Sequence, residues 1–169
     1  MADYFIGLIS GTSADGIDAA LVEFSPAPRV IHARTFLYPT NLRSALLAFG
    51  QGQYQGDPVD QLGQLDVETG QAFAQAAMAL LQEAKLAPEQ ITAIGSHGQT
   101  VRHRPDGKYP FSLQIGDPNT IAANTGLTVV ADFRRRDMAE GGQGAPLAPA
   151  FHRAVFQSPQ ENRAVLNLG

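Results

Sequence analysis

The segment GTSADGID, Gly11 to Asp18, lies between two apolar runs, Tyr4–Ile9 and Ala19–Phe24. Apolar runs on both sides of residues that favour turns predict a strand, a turn and a second strand. Gly11 and Gly16 permit positive φ and let a ligand come close to the backbone. The segment therefore predicts a β-hairpin whose turn is suited to binding.

The polar side chains of this turn suit phosphate and Mg²⁺. Thr12 and Ser13 add hydroxyl donors to consecutive backbone N–H groups, a combination that cradles an anion. Asp15 and Asp18 add carboxylates, which hold Mg²⁺ through water. Because Gly, Ser and Asp are also common in turns that bind nothing, a plain hairpin stays an alternative. The functional interpretation of the turn is a site for a nucleotide triphosphate.

Length and composition indicate one globular domain. The chain has 169 residues, of which 44% are hydrophobic and 17% charged, so it is long enough for one core and too short for two ordinary domains. The formal net charge of −4 argues against a nucleic-acid partner, which needs an excess of Lys and Arg. There is no cysteine for a disulfide framework or a thiolate metal site. The sequence shows neither a signal peptide nor an apolar run of about 18 residues, so we expect a cytoplasmic protein with no membrane partner.

Apolar patterning predicts an α/β fold with a mixed sheet. Tyr4–Ile9, Ile17–Phe24 and Val30–Tyr38 predict an antiparallel meander of three strands. Later segments alternate between strand and helix, which predicts helices packed on the faces of the sheet. The later predicted strands are Ile91–Ser96, Phe111–Ile115, Leu127–Ala131 and Arg163–Leu168.

Capping residues and helical stripes of apolar residues predict four helices. In the longest, Gly63 and Gly70 lie seven residues apart on one face, which favours close packing against a neighbour over a mere weakening of the helix. The predicted helices are a short one capped by Thr40 or Asn41 and ended by Gly50, a long one from Asp57-Pro58 to about Lys85, one from Asp117-Pro118 to Thr125 ended by Gly126, and one over about Leu147–Phe156.

Two polar clusters follow predicted strands, where open α/β sheets bind ligands. GSHGQTVRH, Gly95–His103, is predicted to be a loop around a flexible Gly98, and ADFRRRDMAEGGQGAPLAP, Ala131–Pro149, follows the strand Leu127–Ala131. His97 is a hydrogen-bonding group or proton carrier near neutral pH, and a loop histidine satisfied by backbone groups is its alternative. The first cluster presents four polar groups, Ser96, His97, Gln99 and Thr100. The candidate residues for contact with a small polar substrate are His97, Gln99, Thr100, Asp132 and Gln143.

Other polar residues leave alternatives open. Arg134, Arg135 and Arg136 would step about 100° apiece on a helix, so they do not all point one way, and pairing with Asp137 or Glu140 competes with plain solvation. Asp117 is explained by its position before a helix, whereas Gln114 stays undecided. No GxxxxGK[ST], no GxGxxG after the first strand and no HExxH occur. An ATP site would therefore have to use the hairpin turn.

The three segments GTSADGID, GSHGQT and DFRRRDMAEGGQGAP occur in this order, and with them the chain resembles the anhydro-N-acetylmuramic acid kinase family of the actin/Hsp70/sugar-kinase superfamily. The resemblance runs from about Tyr4 to Gly169. It implies a ribonuclease-H-like lobe, with residues 1–169 as the amino-terminal lobe of a two-lobed kinase whose carboxy-terminal lobe is absent from this chain. It also implies a reaction that opens a 1,6-anhydro ring with water and phosphorylates O6, using ATP and Mg²⁺, in peptidoglycan recycling.

The resemblance assigns roles to residues of this chain. The general base is expected beyond Gly169, so no catalytic residue is expected within the chain, and the chain alone is expected to be inactive. An ATP-binding module and a kinase of another sugar stay alternatives, and a homodimer stays open. The implied ATP contacts are Gly11, Thr12, Ser13, Ala14, Asp15, Gly16, Ile17 and Asp18, with Asp15 and Asp18 near the metal through water; the implied sugar contacts are His97, Gln99, Thr100, Asp132 and Gln143.

Overall fold

Six strands form one mixed sheet in residues 3–166, which the computed structural model describes. The strands are β1 (Tyr4–Ser10), β2 (Ile17–Glu23), β3 (Arg29–Phe36), β4 (Ile91–Arg104), β5 (Phe111–Ile115) and β6 (Val129–Ala131). The helices are α1 (Thr40–Gly50), α2 (Pro58–Ala84), α3 (Pro118–Thr125), α4 (Phe133–Ala139) and α5 (Ala148–Phe156), with a 3₁₀ turn at Pro88–Gln90. The fold class is α/β, as predicted.

The strand order is β3-β2-β1-β4-β5, and β6 also pairs with β4. The first three strands form the predicted antiparallel meander, whereas β4 runs parallel to β1 and β6 runs parallel to β4. Parallel strands end at the same edge of a sheet, so the ends of β1 and β6 lie at the same edge, on either side of β4. There Ser10 pairs with Gln99 and Ala131 pairs with Ser96.

The segment predicted as a loop around Gly98 is the second half of β4, so that prediction was wrong. β4 continues to Arg104 because its second half pairs antiparallel with β5, from Gln99 opposite Ile115 to Arg104 opposite Phe111. Ladder hydrogen bonds use backbone groups and tolerate polar side chains. Gly98 sits at an irregularity of the β1–β4 register with a φ of +79°, and a Cβ there would lie 2.6 Å from the Ile115 carbonyl oxygen.

Most helix boundaries follow the predicted caps. Asp57 accepts from the N–H groups of Val59 and Asp60 at the start of α2, and Asp117 caps α3 in the same way. The predicted cap of α1 was wrong: Thr40 is already helical, and Pro39 precedes it without a side-chain cap. The predicted strand Arg163–Leu168 is also wrong for residues 163–166, which are not in a strand, and its remainder lies outside the described residues.

The core forms between the sheet and α2. Alternate residues of β1 and β2 are buried, among them Ile6, Leu8 and Leu21, and they form one cluster with Phe73 and Leu80 of α2. This alternation is the pattern of strands with one face against a helix layer. Among residues 3–166, no helix combines the length and the apolar character needed to cross a membrane.

The two glycines of α2 behave differently. A Cβ on Gly70 would lie 2.9 Å from the carbonyl oxygen of Asp117, so Gly70 permits the close packing of α2 against the start of α3. A Cβ on Gly63 would meet no atom within 4 Å. The predicted packing role is confirmed for Gly70 and wrong for Gly63.

Candidate nucleotide and sugar site

Three protein donors bind three carbonyl groups of the turn between β1 and β2. Ser10 Oγ donates to Gly16 O at 2.7 Å, Arg43 Nε donates to Ala14 O at 3.0 Å, and Gln99 Nε2 donates to Gly11 O at 2.6 Å. These donors come from β1, α1 and β4. Carbonyl oxygens repel phosphate, so a turn whose carbonyls are already bonded to the protein suits an anion better than a loose one. Thr12 and Ser13, at the tip, are exposed.

The glycines of the turn do not adopt the positive φ that the sequence predicted. Neither Gly11 nor Gly16 lies in the left-handed region, whereas Ala14 does, with a φ of 48°. Such a conformation costs an alanine about 1–2 kcal/mol. Burial of the Ala14 methyl group and the bond from Arg43 to its carbonyl offset this cost. The sequence prediction therefore assigned the strained position to the wrong residues.

Gly11 and Gly16 have different surroundings. A Cβ on Gly16 would lie 2.6 Å from Thr35 Cγ2 and 2.9 Å from the Phe36 carbonyl oxygen, so β3 requires a glycine there. A Cβ on Gly11 would meet no atom within 4 Å, so a ligand has room to approach this part of the turn.

The two carboxylates proposed for the metal lie in different environments. Asp15 pairs with Arg43 at 3.1 Å, and a hydrogen bond from Ser13, followed by the bond from Arg43, lowers the pKa of its carboxyl group. Asp18 accepts a hydrogen bond from Thr35 Oγ1 at 2.5 Å and is exposed. It lines a cavity of about 690 Å³ on the sheet face that also carries Gly7 and Ile9.

The donor set fits a metal bound through water and not one held in a protein cage. Among residues 3–166, no three His, Cys, Asp or Glu side chains come together as a group that could hold a metal ion. Contact through water needs only an exposed carboxylate oxygen, which Asp15 and Asp18 both supply. Asp18 fits better, because its hydrogen-bond partner is a neutral hydroxyl group whereas Asp15 is paired with a cation.

His97 is held in one neutral tautomer. Its Nδ1 lies 3.0 Å from the Gly98 carbonyl oxygen, which only accepts, so Nδ1 carries the proton. Nε2 then accepts from Arg134 Nε at 2.7 Å. Burial lowers the pKa of His97, and the charge of Arg134 adds to this effect. Arg134 also donates to Gly144 O at 2.7 Å, so it links His97 to the loop that follows α4.

Of the other predicted sugar contacts, Asp132 lies beside His97. It follows β6 with a φ of 63° and pairs with Arg135 at 2.5 Å. His97 and Asp132 line a cavity of about 160 Å³, together with Asp66, Ser96, Gln114 and Arg135 among others. Ser96 is only 1% exposed, and its Oγ finds no hydrogen-bond partner within the described part of the chain. A buried hydroxyl without a partner is costly, which favours a ligand or water there.

The remaining three predicted sugar contacts lie elsewhere. Gln99 and Thr100 line a third cavity, of about 320 Å³, which Thr12 of the turn also borders. Gln143 is exposed on the loop after α4 and lines neither cavity. The structure thus divides the five candidates between two cavities and one loop, and does not gather them in one site.

Sequence reasoning missed the residues that hold the turn. Arg43 lies on the exposed side of a short helix, and Tyr38 follows β3 in a segment without a recognisable motif. Tyr38 donates from its hydroxyl to Gln99 Oε1 at 3.0 Å, and burial raises the pKa of Tyr38 to about 12, so this donor stays protonated. No local pattern marks either residue, because each acts across a long separation in sequence.

The structure also shows which partners the arginines of α4 have. Arg136 pairs with Glu140 at 2.7 Å, which confirms one of the pairings left open, and Arg135 pairs with Asp132. Both pairs are exposed and contribute little to stability. Arg134 differs, because it is part-buried between His97 and Gly144.

The mixed sheet, its β3-β2-β1-β4 order and the tied-down hairpin turn define the class as a ribonuclease-H-like lobe of the sugar-kinase type. A family model described as anhydro-N-acetylmuramic acid kinase matches residues 3–169, and the chain belongs to this family.

Curated relatives agree with this assignment. A Coxiella burnetii protein named anhydro-N-acetylmuramic acid kinase is 55% identical over 165 residues, which cover 98% of this chain and 44% of the relative. Relatives of the same name from Xylella fastidiosa and Xanthomonas campestris pv. campestris are each 56% identical, over 99% and 98% of this chain and 45% of their own length. The chain therefore spans less than half the length of these relatives.

Proposed function

We propose that this chain is the amino-terminal lobe of an ATP-dependent anhydro-N-acetylmuramic acid kinase that acts in peptidoglycan recycling. The observation that carries the proposal is the turn Gly11–Gly16, in which three carbonyl groups accept hydrogen bonds from Ser10, Arg43 and Gln99. The family and the names of the relatives support the choice of substrate. A cytoplasmic location follows from the proposal, because the reaction consumes ATP.

In the proposed reaction the chain positions the phosphate groups. Water adds at the anomeric carbon while the bond from this carbon to the bridging oxygen, O6, breaks. O6 then takes the γ-phosphoryl group of ATP, whose bond to the β–γ bridging oxygen breaks to release ADP. Mg²⁺ would neutralise charge on the phosphates. We assign the phosphate contacts to residues 11–18 and the contact with the hydrated metal to Asp18, with Asp15 as the second candidate. A base must accept a proton from the water, and we expect this base outside the chain.

The sugar is proposed to occupy the cavity of about 160 Å³ between His97 and Asp132. The hydroxyl of Ser96 and the amide oxygen of Gln114 offer polar atoms there, and a sugar carries hydroxyl groups to pair with them. The amide nitrogen of Gln114 already donates to Thr100 Oγ1 and Ser112 Oγ. A cavity of this size takes only part of an amino sugar, so the second lobe would supply further contacts. Contacts of the sugar with Thr100 and Gln143 stay predictions.

The test uses a chimera in which this chain replaces the matching segment of the Xylella fastidiosa relative. Mass spectrometry should detect a product that has gained one water and one phosphoryl group when anhydro-N-acetylmuramic acid and Mg·ATP are supplied. Phosphorylation of other sugars alone would indicate a different sugar kinase. Calorimetric ATP binding without any transfer would indicate a binding module. Either outcome would contradict the proposal.

A matched pair of variants tests the sugar cavity in the same chimera. His97 lines the cavity while both of its ring nitrogens are bonded within the protein, so its substitution acts through the shape of the cavity wall. His97→Gln should raise the KM for the sugar by at least about fivefold and leave the KM for ATP unchanged. His32→Gln is the control, because His32 lies on β3 and contacts Glu83 at 2.9 Å, away from the cavity. Equal effects of the two substitutions would remove the cavity from the proposal.

A further inference from the structure

The side chain of Gln99 is buried under the turn, and both of its amide protons are used by the protein. It is 2% exposed and lies on β4 opposite Ser10. Nε2 donates to Gly11 O at 2.6 Å and to Thr100 O at 3.0 Å, while Oε1 accepts from the Tyr38 hydroxyl at 3.0 Å. An amide nitrogen has two protons, so none is left to donate to a ligand.

The carbonyl group that Gln99 holds is the one that closes the turn. Gly11 O also accepts from the Ala14 N–H at 3.1 Å, so the bond within the turn and the bond from Gln99 meet on one oxygen. The pairing of β1 with β4 ends at Ser10, so beyond this residue the side chain of Gln99 continues the connection between the turn and β4.

We propose that Gln99, oriented by Tyr38, is a positioning residue for the nucleotide and not a contact of the sugar. It fixes the Gly11 carbonyl and thereby the direction of the N–H groups that follow it. A turn fixed in advance loses less conformational freedom when phosphate binds, which increases affinity. The inference rests on the proposed function, because it requires that the turn binds ATP phosphates.

A role as a direct contact of the sugar would require a different environment for the Gln99 side chain. A sugar contact needs an accessible polar atom, whereas the amide protons of Gln99 are used inside the protein. Loss of a sugar contact would raise the KM for the sugar, and loss of a positioning residue would raise the KM for ATP. The two roles are therefore separable by kinetics.

The test substitution is Gln99→Glu, which keeps the size of the side chain and the acceptor for Tyr38 but removes the donor to Gly11 O. In the 169-residue chain, hydrogen exchange of the Ala14 amide measured by NMR should accelerate at least about tenfold. In the chimera, the KM for ATP should rise at least about fivefold while the KM for the sugar stays within about twofold. Tyr38→Phe should cause a smaller change in the same direction, and it carries the test if Gln99→Glu does not fold.

Thr125→Val is the matched control for the loss of a buried polar group. Thr125 Oγ1 donates to Ile121 O at 2.8 Å and has no hydrogen bond to the turn, so this variant should lower stability without changing exchange at Ala14 or the KM for ATP. A raised KM for the sugar with unchanged exchange at Ala14 would overturn the inference. Unchanged kinetics would overturn it as well.

The parent chain separates this inference from the proposed function. Mg·ATP should slow exchange of the amides in the turn of the unsubstituted protein. If it does not, the proposed phosphate site fails, and the inference about ATP fails with it. If it does, and Gln99→Glu and Tyr38→Phe leave the turn and the KM for ATP unaltered, only the positioning role of Gln99 is refuted.

Discussion

Replacing Gly16 by alanine should destabilise the fold through one identifiable clash. The new methyl group would lie 2.6 Å from Thr35 Cγ2 and 2.9 Å from the Phe36 carbonyl oxygen, whereas ordinary contacts to a Cβ begin near 3.4 Å. The Thr35 methyl can turn away, but Phe36 pairs with Ile17 in the β2–β3 ladder, so its carbonyl has little freedom to move. Overpacking of this kind costs about 1–3 kcal/mol.

The substitution Gly11→Ala is the control that isolates the cost of the clash at Gly16. Both glycines lie outside the left-handed region, so each alanine gains about 0.4–1 kcal/mol by restricting the unfolded chain. Both variants share this gain, so it cancels in the difference between them. A Cβ on Gly11 meets no atom within 4 Å, so Gly11→Ala adds no clash of its own. The free energy of unfolding should therefore be about 1–3 kcal/mol lower for Gly16→Ala than for Gly11→Ala.

The assay is urea unfolding of the two variants and the parent, with thermal unfolding as a second measurement. At about 2–4 °C per kcal/mol for a chain of this size, the Tm values of the two variants should differ by about 2–12 °C. The measurement needs no ligand, so it does not depend on the proposed function. Equal midpoints for Gly16→Ala and Gly11→Ala would show that β3 yields to the methyl group, and the steric argument would then be refuted.

Further predictions concern α2, His97 and the metal. Gly70→Ala should lower the free energy of unfolding by about 1–3 kcal/mol through its clash with α3. Gly63→Ala should raise the free energy of unfolding by about 0.5–1 kcal/mol. The two variants should therefore shift the urea midpoint in opposite directions. Because its pKa is lowered in the fold, His97 contributes stability that is fully present above about pH 6.5 and is lost as the pH falls. Urea midpoints measured from pH 8 to pH 5 should therefore decline less steeply for His97→Gln than for the parent, and parallel curves would contradict the assigned protonation. Asp18→Asn keeps an acceptor for Thr35 Oγ1, so the fold should persist. The kcat/KM of the chimera at subsaturating Mg²⁺ should fall at least about tenfold. An unchanged kcat/KM would exclude Asp18 from the metal site.

Local patterns in the sequence predicted the elements whose causes are local. The meander follows from alternating apolar residues around the turn, and the starts of α2 and α3 follow from Asp57 and Asp117, whose caps reach only two or three residues along the chain. The end of α3 at Gly126 was predictable for the same reason, since a glycine in the left-handed region ends it.

Errors arose where a distant partner decides the local conformation. Gly98 is typical of a loop when its neighbours alone are considered, yet β5 pairs with this segment and makes it a strand. The capping pattern at Thr40 was misleading because the helix already includes that residue. His97 was left between a ligand contact and a satisfied histidine, and its partner Arg134 lies 37 residues away.

The amino-acid sequence by itself determined that a polar, glycine-containing turn joins β1 to β2, because both the apolar strands and the turn residues are local signals. The tertiary structure alone decided how this turn is held. Gln99 reaches Gly11 across 88 residues, and Arg43 reaches Ala14 across 29. Hydrogen bonds of this kind depend on how β1 and β4 pair and where α1 packs, which no pattern within a short window specifies. The residues of the turn therefore determine which polar groups it offers, whereas the packing of the rest of the fold determines how these groups are oriented.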